Sequence, residues 1–215
     1  MRVVFLGPPG AGKGTQATRM AERFDTMHAS TGDIFRAALS DGSELGQTVQ
    51  EYLDNGLLVP DELTSRVVKE RVVEQADSYI LDGYPRTVTQ AEHLEAMLNE
   101  RGAGLDCVVY FELPDEEAVV RLTGRRVCAD CGANFHVKFM PPEEEGVCDK
   151  CGGELTIRSD SSEEVVRKRL AEYHEKTRPL VAFYEERDLI QRVDATDTPD
   201  DVSEATADVL SDFTD

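Results

Sequence analysis

The chain has 215 residues, 40% of them hydrophobic, and its 43 Asp and Glu against 23 Lys and Arg give a formal net charge of −20. This size suits one α/β domain with insertions or two small domains, and no apolar run approaches the roughly 20 residues that span a membrane. We therefore expect no membrane, and because a charge this negative repels nucleic-acid phosphates, we expect no nucleic-acid partner either. The N-terminus enters a predicted strand at once, which leaves no room for a signal peptide and makes the cytoplasm the expected location.

The acidity has two interpretations, an ordinary acidic surface or an adaptation to high salt, in which self-repulsion is screened within a few ångströms. Only six of the basic residues are lysine, and the C-terminal segment is strongly acidic, which favours a salt-loving source. The acidic residues of that segment are Asp194, Asp197, Asp200, Asp201, Glu204, Asp208, Asp212 and Asp215.

The first motif is the glycine-rich stretch GPPGAGKGT at residues 7–15, which directly follows the apolar run 3–6. Glycines let successive backbone N–H groups point at one anion, and Lys13 adds a positive charge. A helix predicted over 16–24 would direct its positive N-terminal end at the same phosphates. The spacing matches the P-loop pattern, except that Gly14 stands between Lys13 and Thr15. The alternative is a glycine-rich turn that binds nothing, but the strand-to-helix context favours a nucleotide site.

Four of the five cysteines form two pairs with sixteen residues between the pairs. This spacing indicates a tetrahedral four-thiolate zinc site, which is structural because no coordination position is left open. Two disulfides or a redox motif are the weaker alternatives in a reducing compartment, and iron or cobalt could replace zinc. The proposed ligands are Cys128, Cys131, Cys148 and Cys151.

Residues 79–81, 107–111 and 189–193 are typical of buried parallel strands, the second of them burying Cys107 as a small hydrophobe. Helices are predicted between the strands, and the alternation predicts a parallel sheet covered on both faces. The first of these helices opens at the capping sequence 30–33, the second stops at Gly56, and the third has Pro60 at its first position. The predicted helices are 30–39, 43–55, 60–75, 89–101, 162–177, 179–186 and 199–213.

Residues 124–161 break this alternation with turns, the four cysteines and an acidic run. The segment is too small and polar to build its own apolar core, so a bound metal would have to supply the folding energy. The sequence therefore predicts a metal-clipped insertion on the α/β core.

The string LDGYPR at residues 81–86 is the next candidate for chemistry. An apolar strand that ends in Asp82 is where P-loop enzymes hold the water shell of Mg²⁺, and Arg86 follows in the crevice where such sheets bind ligands. Phosphoryl transfer needs several cations, and the arginine fork binds phosphate oxygens bidentately. If the insertion is a mobile flap, the arginines at its two edges would reach the phosphates only when the flap closes, and closure would exclude water from them. The candidates are Arg36, Arg86, Arg125, Arg126, Arg158, Arg167 and Arg169.

In these strings the chain resembles the adenylate kinase family, of the type with a long zinc-binding lid, over essentially its whole length. The matching strings lie at 7–15, 30–33, 58–61, 81–86, 124–126 and 166–170, and Gly14 is the form that this family uses. The resemblance implies an α/β P-loop kinase core (1–29, 60–123 and 162–215), a helical AMP-binding insertion (30–59) and a zinc-clipped lid (124–161). It also implies a monomer that uses Mg²⁺ and a structural Zn²⁺ and converts ATP and AMP to two ADP by direct in-line transfer.

The resemblance further implies roles for individual residues. Lys13, Asp82, Arg86, Arg125, Arg158 and Arg169 would be catalytic, with Asp160 as an anchor for the arginines. The ATP site would comprise Gly10, Ala11, Gly12, Lys13, Gly14, Thr15, Arg125, Asn134, Phe135 and Thr196, with Arg121 and Ala195 at the adenine. The AMP site would comprise Thr31, Arg36, Leu57, Leu58, Val59, Gly83, Tyr84, Pro85, Arg86, Gln90, Arg158 and Arg169, with Thr31 and Gln90 reading the base.

Three alternatives remain at this point. A sister kinase for CMP, UMP or GMP would share the phosphate contacts, although the long lid and Gln90 favour AMP. A non-catalytic zinc-ribbon protein would leave the arginines without a purpose. A P-loop switch would need a water-positioning residue that the sequence does not offer. The chain also departs from the family pattern at Ser161, Phe135 and Ala195, which affects the lid geometry and not the reaction.

Overall fold

Five parallel strands form the central sheet of the computed structural model, which describes residues 1–55 and 57–213. They are β1 (Arg2–Leu6), β2 (Met27–Ser30), β3 (Tyr79–Asp82), β4 (Cys107–Glu112) and β8 (Ile190–Asp194). Their order across the sheet is β2-β3-β1-β4-β8. The central strand β1 sets Val4 opposite Leu81 on one side and Val108 on the other. All three side chains are fully buried, as expected for apolar central strands that are covered on both faces.

Helices cover both faces of this sheet. The helices of the described residues are α1 (Lys13–Arg23), α2 (Thr31–Ser40), α3 (Glu44–Asp54), α4 (Asp61–Val68), α5 (Val88–Glu100), α6 (Asp115–Thr123), α7 (Glu163–Glu172), α8 (Pro179–Glu185) and α9 (Pro199–Ser211). Val3 and Phe5 of β1 pack with α1, α6, α7 and α9 on one face, and Val4 and Leu6 pack with α4, α5 and α8 on the other. The predicted α/β fold with a helix-flanked parallel sheet is thereby confirmed.

Several element boundaries differ from the sequence prediction. Pro60 precedes α4 as its cap and is not its first helical residue. The predicted helices 60–75 and 162–177 each change to a turn of π-helix partway along, at Lys69–Val73 and Tyr173–Thr177. The predicted stop at Gly56 lies outside the described residues. Strand β2 and helix α6 were not predicted, because the short sequence of β2 is not apolar and its pairing with β3 decides its structure.

Residues 31–54 form two helices that pack closely on each other. Ser30 caps α2 by accepting the N–H of Asp33 at 3.2 Å, as the capping sequence predicts. A Cβ at Gly46 would lie 2.0 Å from the carbonyl oxygen of Ala38, so only glycine allows this contact between α2 and α3. Both helices contribute to a separate small apolar cluster that contains Phe35, Val49, Val59 and Val67.

Residues 125–156 carry a second, antiparallel sheet that the sequence did not predict. Its strands are β5 (Arg125–Cys128), β6 (Asn134–His136) and β7 (Leu155–Thr156), in the order β6-β5-β7. Its buried cluster consists of Cys128, Phe135, Cys148 and Leu155. Half of this cluster is cysteine, which agrees with a segment whose own apolar core is small.

Candidate active site

A cavity of about 90 Å³ opens at the carboxyl ends of β1 and β3. Parallel sheets bind their ligands at this edge, because the loops that leave the strands diverge there. The glycine-rich loop, the loop after β3, helix α7 and the segment before α4 all reach it. The lining residues are Phe5, Leu6, Gly7, Pro9, Lys13, Leu58, Gly83, Pro85, Arg86, Arg169, Glu172, Tyr173 and Thr177.

The glycine-rich loop connects β1 to the N-terminus of α1. Gly12 caps the helix with a left-handed backbone (φ 83°), which glycine adopts without strain. A Cβ at position 14 would lie 3.1 Å from Oδ2 of Asp82, closer than side chains normally approach. The glycine that departs from the general P-loop pattern therefore lets the first turn of α1 lie directly against the end of β3.

Lys13 lies folded over this loop. Its Nζ donates hydrogen bonds to the carbonyl oxygens of Gly7 and Pro8, each at 2.8 Å. Burial lowers the pKa of Lys13 to about 8, although the nearby carboxylate of Asp82 opposes the shift and Arg86 adds to it. Lys13 is thus a cation held beside the cavity by weak carbonyl partners, which an anion could replace.

Asp82 ends strand β3, and its side chain is only 15% exposed. Burial alone would raise the pKa of this carboxyl group, but His28 and the charges of Lys13 and Arg86 together hold the pKa below its ordinary value. A carboxylate that stays ionised between a lysine and an arginine is suited to holding the water shell of a hard divalent cation.

Arg86 is fixed on three sides. Its Nε donates to the carbonyl oxygen of Gly83 at 2.8 Å, and its backbone N–H donates to Oε1 of Gln90 at 2.8 Å. Thr177, in the π-helical turn after α7, donates its hydroxyl to the Arg86 carbonyl oxygen at 2.8 Å. Burial lowers the pKa of Arg86, opposed by the charge of Asp82, but the guanidinium remains charged at neutral pH. Arg86 itself lines the cavity.

Gln90 and Thr31 are almost fully buried beside Arg86, at 1% and 2% exposure. Nε2 of Gln90 donates to Oδ1 of Asp61 at 2.7 Å, and the Thr31 hydroxyl donates to the carbonyl oxygen of Gly83 at 2.9 Å. Each side chain can form further hydrogen bonds. Gln90 has one amide N–H and one oxygen lone pair that are not used, and the Thr31 hydroxyl oxygen can still accept a hydrogen bond.

Three arginines converge on the single carboxylate of Asp160. Arg125, Arg158 and Arg169 donate to its oxygens at 3.1, 2.7 and 2.9 Å, and Arg125 also donates to the hydroxyl of Ser161 at 3.1 Å. Burial would raise the pKa of Asp160, but the arginines lower it below its ordinary value. Three guanidinium groups around one carboxylate leave a formal excess of two positive charges, which suits a polyphosphate.

The predicted AMP-site residues do not all reach the cavity. Leu58 and Pro85 line it, whereas the side chain of Val59 is buried in the cluster between α3 and α4. Tyr84 is buried as well, with its hydroxyl donating to the carbonyl oxygen of Gln90. Leu57 is 47% exposed. Arg36 pairs with Asp33 on the same helix face.

The residues predicted to bind the adenine of ATP include two that contact each other and one that is buried beside them. Arg121 of α6 donates to the carbonyl oxygen of Thr196 at 3.2 Å, and the neighbouring Ala195 is fully buried at the end of β8. In the lid segment, Asn134 is exposed, but the ring of Phe135 packs inside the cysteine cluster. The ring of Phe135 is therefore not exposed to a ligand.

Four residues of the site were not predicted from the sequence. Thr177, Glu172 and Tyr173 line the cavity, and Asp61 anchors Gln90. Asp61 belongs to one of the strings that matched the family, so its position was a signal, whereas the other three carried no local signal. Ser161, noted in the sequence only as a departure from the family pattern, is a hydrogen-bond partner of Arg125.

The four cysteine sulfurs lie within 4.8 Å of one another. Sγ of Cys128 is 3.4 Å from Sγ of Cys151, and Sγ of Cys131 is 3.6 Å from Sγ of Cys148. Tetrahedral zinc with bonds of about 2.3 Å requires sulfur–sulfur distances of about 3.8 Å, so the cluster fits a four-thiolate metal site. All four are free thiols and not disulfides.

Comparison with known proteins matches the chain to one family. A family model described as "Adenylate kinase" matches residues 5–189. A curated adenylate kinase of Thermoanaerobacter sp. (strain X514) is 48% identical over 215 residues, which cover 99% of both chains. One of Carboxydothermus hydrogenoformans is 50% identical over 204 residues, which cover 94% of this chain and 95% of the relative. Within the described part of the chain, the helices are all too short or too polar to cross a membrane.

Proposed function

Because the chain belongs to the adenylate kinase family and transfers a phosphoryl group between ATP and AMP, we propose that the two nucleotides meet in the cavity that Lys13 and Arg86 share. The observation that carries this proposal is the position of the two cations. Lys13 belongs to the glycine-rich loop, where the ATP phosphates would bind, and Arg86 belongs to the loop after β3, where AMP would bind. Both residues line the same cavity, so the two nucleotide sites would meet there. A zinc-ribbon protein or a P-loop switch would not need this second site.

The ATP phosphates lie on the glycine-rich loop in this proposal. The N–H groups at the start of α1 face the anion, and the helix dipole adds a favourable field. Lys13 exchanges its two carbonyl partners for phosphate oxygens, which accept more strongly because they are charged. Asp82 would hold Mg²⁺ through its water shell, and the ion would neutralise charge on the ATP phosphates and orient them.

AMP lies on the loop after β3, with its phosphate at Arg86 and its base toward Gln90 and Thr31. The Watson–Crick edge of adenine offers an amino donor and a ring-nitrogen acceptor. The free acceptor of Thr31 and the free N–H of Gln90 match these two groups. Guanine presents the reverse pattern, so the pair supports AMP over GMP.

The arginines on Asp160 assist the transfer. In-line transfer between two polyphosphates needs cations at the transferred group more than it needs a nucleophilic side chain. Arg125, Arg158 and Arg169 are already assembled on one carboxylate, and their excess charge is directed to the phosphates when the lid closes. The reaction then proceeds directly from ATP to AMP, with water excluded and no covalent enzyme intermediate.

Two parts of the chain are proposed to move during this reaction. Residues 30–59 would be the AMP-binding domain and 124–161 the lid, around a core of 1–29, 60–123 and 162–215. The lid segment has a buried cluster of its own, which supports its movement as a separate body. The cluster of the AMP-binding segment also includes Val67 of α4, so that segment would move while it stays packed against this core helix.

Zinc is the proposed metal of the lid, held by Cys128, Cys131, Cys148 and Cys151. It would supply folding energy that the small lid cluster lacks. Cysteines that bind a metal and are not paired in disulfides are typical of a reducing compartment, which supports a cytoplasmic location. We further propose that the protein acts as a monomer, and that its charge of −20 reflects a salt-loving source.

A bisubstrate analogue tests the shared cavity. Two adenosines joined by five phosphates should bind with one molecule per chain and compete with both ATP and AMP. Competition with only one of the two substrates would contradict a cavity shared by both nucleotides. Calorimetry gives the stoichiometry, and steady-state kinetics against each substrate gives the pattern of inhibition.

A further inference from the structure

Gln16 is a buried polar residue that the phosphate chemistry does not use. It lies in the first turn of α1, three positions after Lys13, and is only 2% exposed. Its Nε2 donates to the carbonyl oxygen of Pro199 at 2.9 Å. Its Oε1 is buried without a hydrogen-bond partner among residues 1–55 and 57–213.

Stability alone does not explain this residue. A buried amide oxygen without a partner loses its hydration and gains nothing in return. An unbranched apolar side chain of similar length would fill the same space among Ala17 and Met20 without that penalty. Unpaired buried groups of this kind are found where a polar atom serves something other than packing.

A second donor from the same helix reaches the same carbonyl group. Arg19 donates from Nη1 to the carbonyl oxygen of Pro199 at 2.8 Å and also pairs with Asp200 at 2.8 Å. Pro199 begins α9, and Thr198 caps that helix by accepting the N–H of Asp201. Gln16 and Arg19 therefore fix the end of the loop 195–198 against α1.

That loop and the start of α1 are the two ends of the proposed ATP site. In that placement helix α1 begins at the phosphates, and the loop carries Thr196, whose carbonyl oxygen accepts a hydrogen bond from Arg121. The nucleotide is one covalent molecule, so its base and its phosphates must fit two protein loops at a fixed separation. If the distance between these two loops could vary, ATP binding would be weaker, because a preorganised site holds its binding groups at the spacing that the ligand requires.

We propose that Gln16 is a positioning residue for the base of ATP, and that it holds the loop 195–198 at the correct distance from the phosphate loop. The proposal rests on the placement of ATP given under the proposed function. It assigns Gln16 no contact with the nucleotide. It predicts that the preference for ATP over GTP as the phosphoryl donor depends on Gln16, a side chain of the helix that begins at the phosphates.

Gln16→Met tests this proposal, because it keeps the length of the side chain and removes both the donor and the unpaired oxygen. We expect KM for ATP to rise about three- to tenfold, the weight of one hydrogen bond, and the preference for ATP over GTP to fall. KM for AMP and kcat should stay within about twofold. Thermal stability should be equal or higher. Arg19→Met should show the same pattern, and Glu22→Gln, at an exposed position of the same helix, should show none of it.

Two results would overturn the role of Gln16. The first is a folded Gln16→Met variant with unchanged KM for ATP and unchanged base preference. The second is a lower melting temperature with equal losses for both substrates, which is the pattern of a merely structural residue. Calorimetric titration of ATP and GTP into the wild type and the variant gives the same comparison without turnover. A wild type that binds ATP but does not phosphorylate AMP would instead refute the proposed function.

Discussion

Gln90 accepts the backbone N–H of Arg86 at 2.8 Å, and this hydrogen bond fixes which way its side-chain amide is turned. A backbone N–H can only donate, so the atom facing it must be Oε1, and Nε2 must face Asp61. The residue proposed to read the AMP base is thus tied to the residue proposed to bind its phosphate. Both are then held by Asp61, at the start of helix α4.

Replacing Gln90 should weaken AMP binding and leave ATP binding intact. Gln90→Met removes the N–H offered to the base and the acceptor for the Arg86 N–H, so we expect KM for AMP to rise roughly tenfold or more. KM for ATP should stay within about twofold. Gln75→Met, at an exposed glutamine, is the control. Equal effects on both substrates would contradict a role in base recognition.

Arg86→Ala should abolish most turnover without unfolding the protein. Arg86 lines the cavity in which the two nucleotides are proposed to meet, and an arginine that stabilises transferred charge contributes about 10³ or more to kcat. Arg66→Ala, an exposed arginine on α4, should leave kcat unchanged. Near-normal turnover in a folded Arg86→Ala variant would remove Arg86 from the mechanism.

Lys13 predicts a pH dependence of ATP binding. Its pKa is lowered to about 8, so the free protein loses this charge above pH 8 and affinity for ATP should fall between pH 7 and 9. Between pH 8 and 10.5 the unfolded chain binds more protons at this site, so the contribution of Lys13 to the free energy of unfolding rises with pH. Lys13→Arg should remove both effects, as measured by calorimetry and by melting temperature. An identical pH profile in that variant would assign the effect to another group.

The lid cysteines should hold one metal ion per chain. Elemental analysis is expected to find one zinc in the wild type and in Cys107→Ala, and much less in Cys148→Ser, which loses a buried ligand. Chelation should lower the melting temperature, because metal binding contributes to folding of the lid. A native protein with one reactive thiol and no metal would instead indicate two disulfides.

Added salt should stabilise the protein. The net charge of −20 makes the folded chain repel itself, and screening at molar salt reduces that repulsion more than it weakens the exposed ion pairs. We expect the melting temperature and kcat to rise between low and molar KCl. A flat or falling curve would favour an ordinary acidic surface.

The sequence predicts the parts of the site that are local. The glycine-rich loop, the end of β3 and the cysteine pairs each carry their chemistry within a few residues, so spacing alone identifies them. The structure explains why residue 14 is glycine, because a side chain there would lie too close to the carboxylate of Asp82.

Long-range contacts could not be predicted. Asp61 and Gln90 are 29 residues apart, and Thr177 and Arg86 are 91 residues apart, with no pattern that links them. The inward ring of Phe135 depends on packing in the lid, which spacing does not encode. Edge strand β2 depends on its partner for the same reason.

The most direct test of the account is a coupled assay with MgATP and each of AMP, CMP, UMP and GMP, at low and at molar salt. Turnover with AMP should be far above that with the other three monophosphates. Preference for UMP or GMP would contradict the roles of Gln90 and Thr31, and preference for CMP, which offers the same donor and acceptor as adenine, would contradict AMP as the substrate. Absence of turnover at every salt concentration would contradict the catalytic function itself.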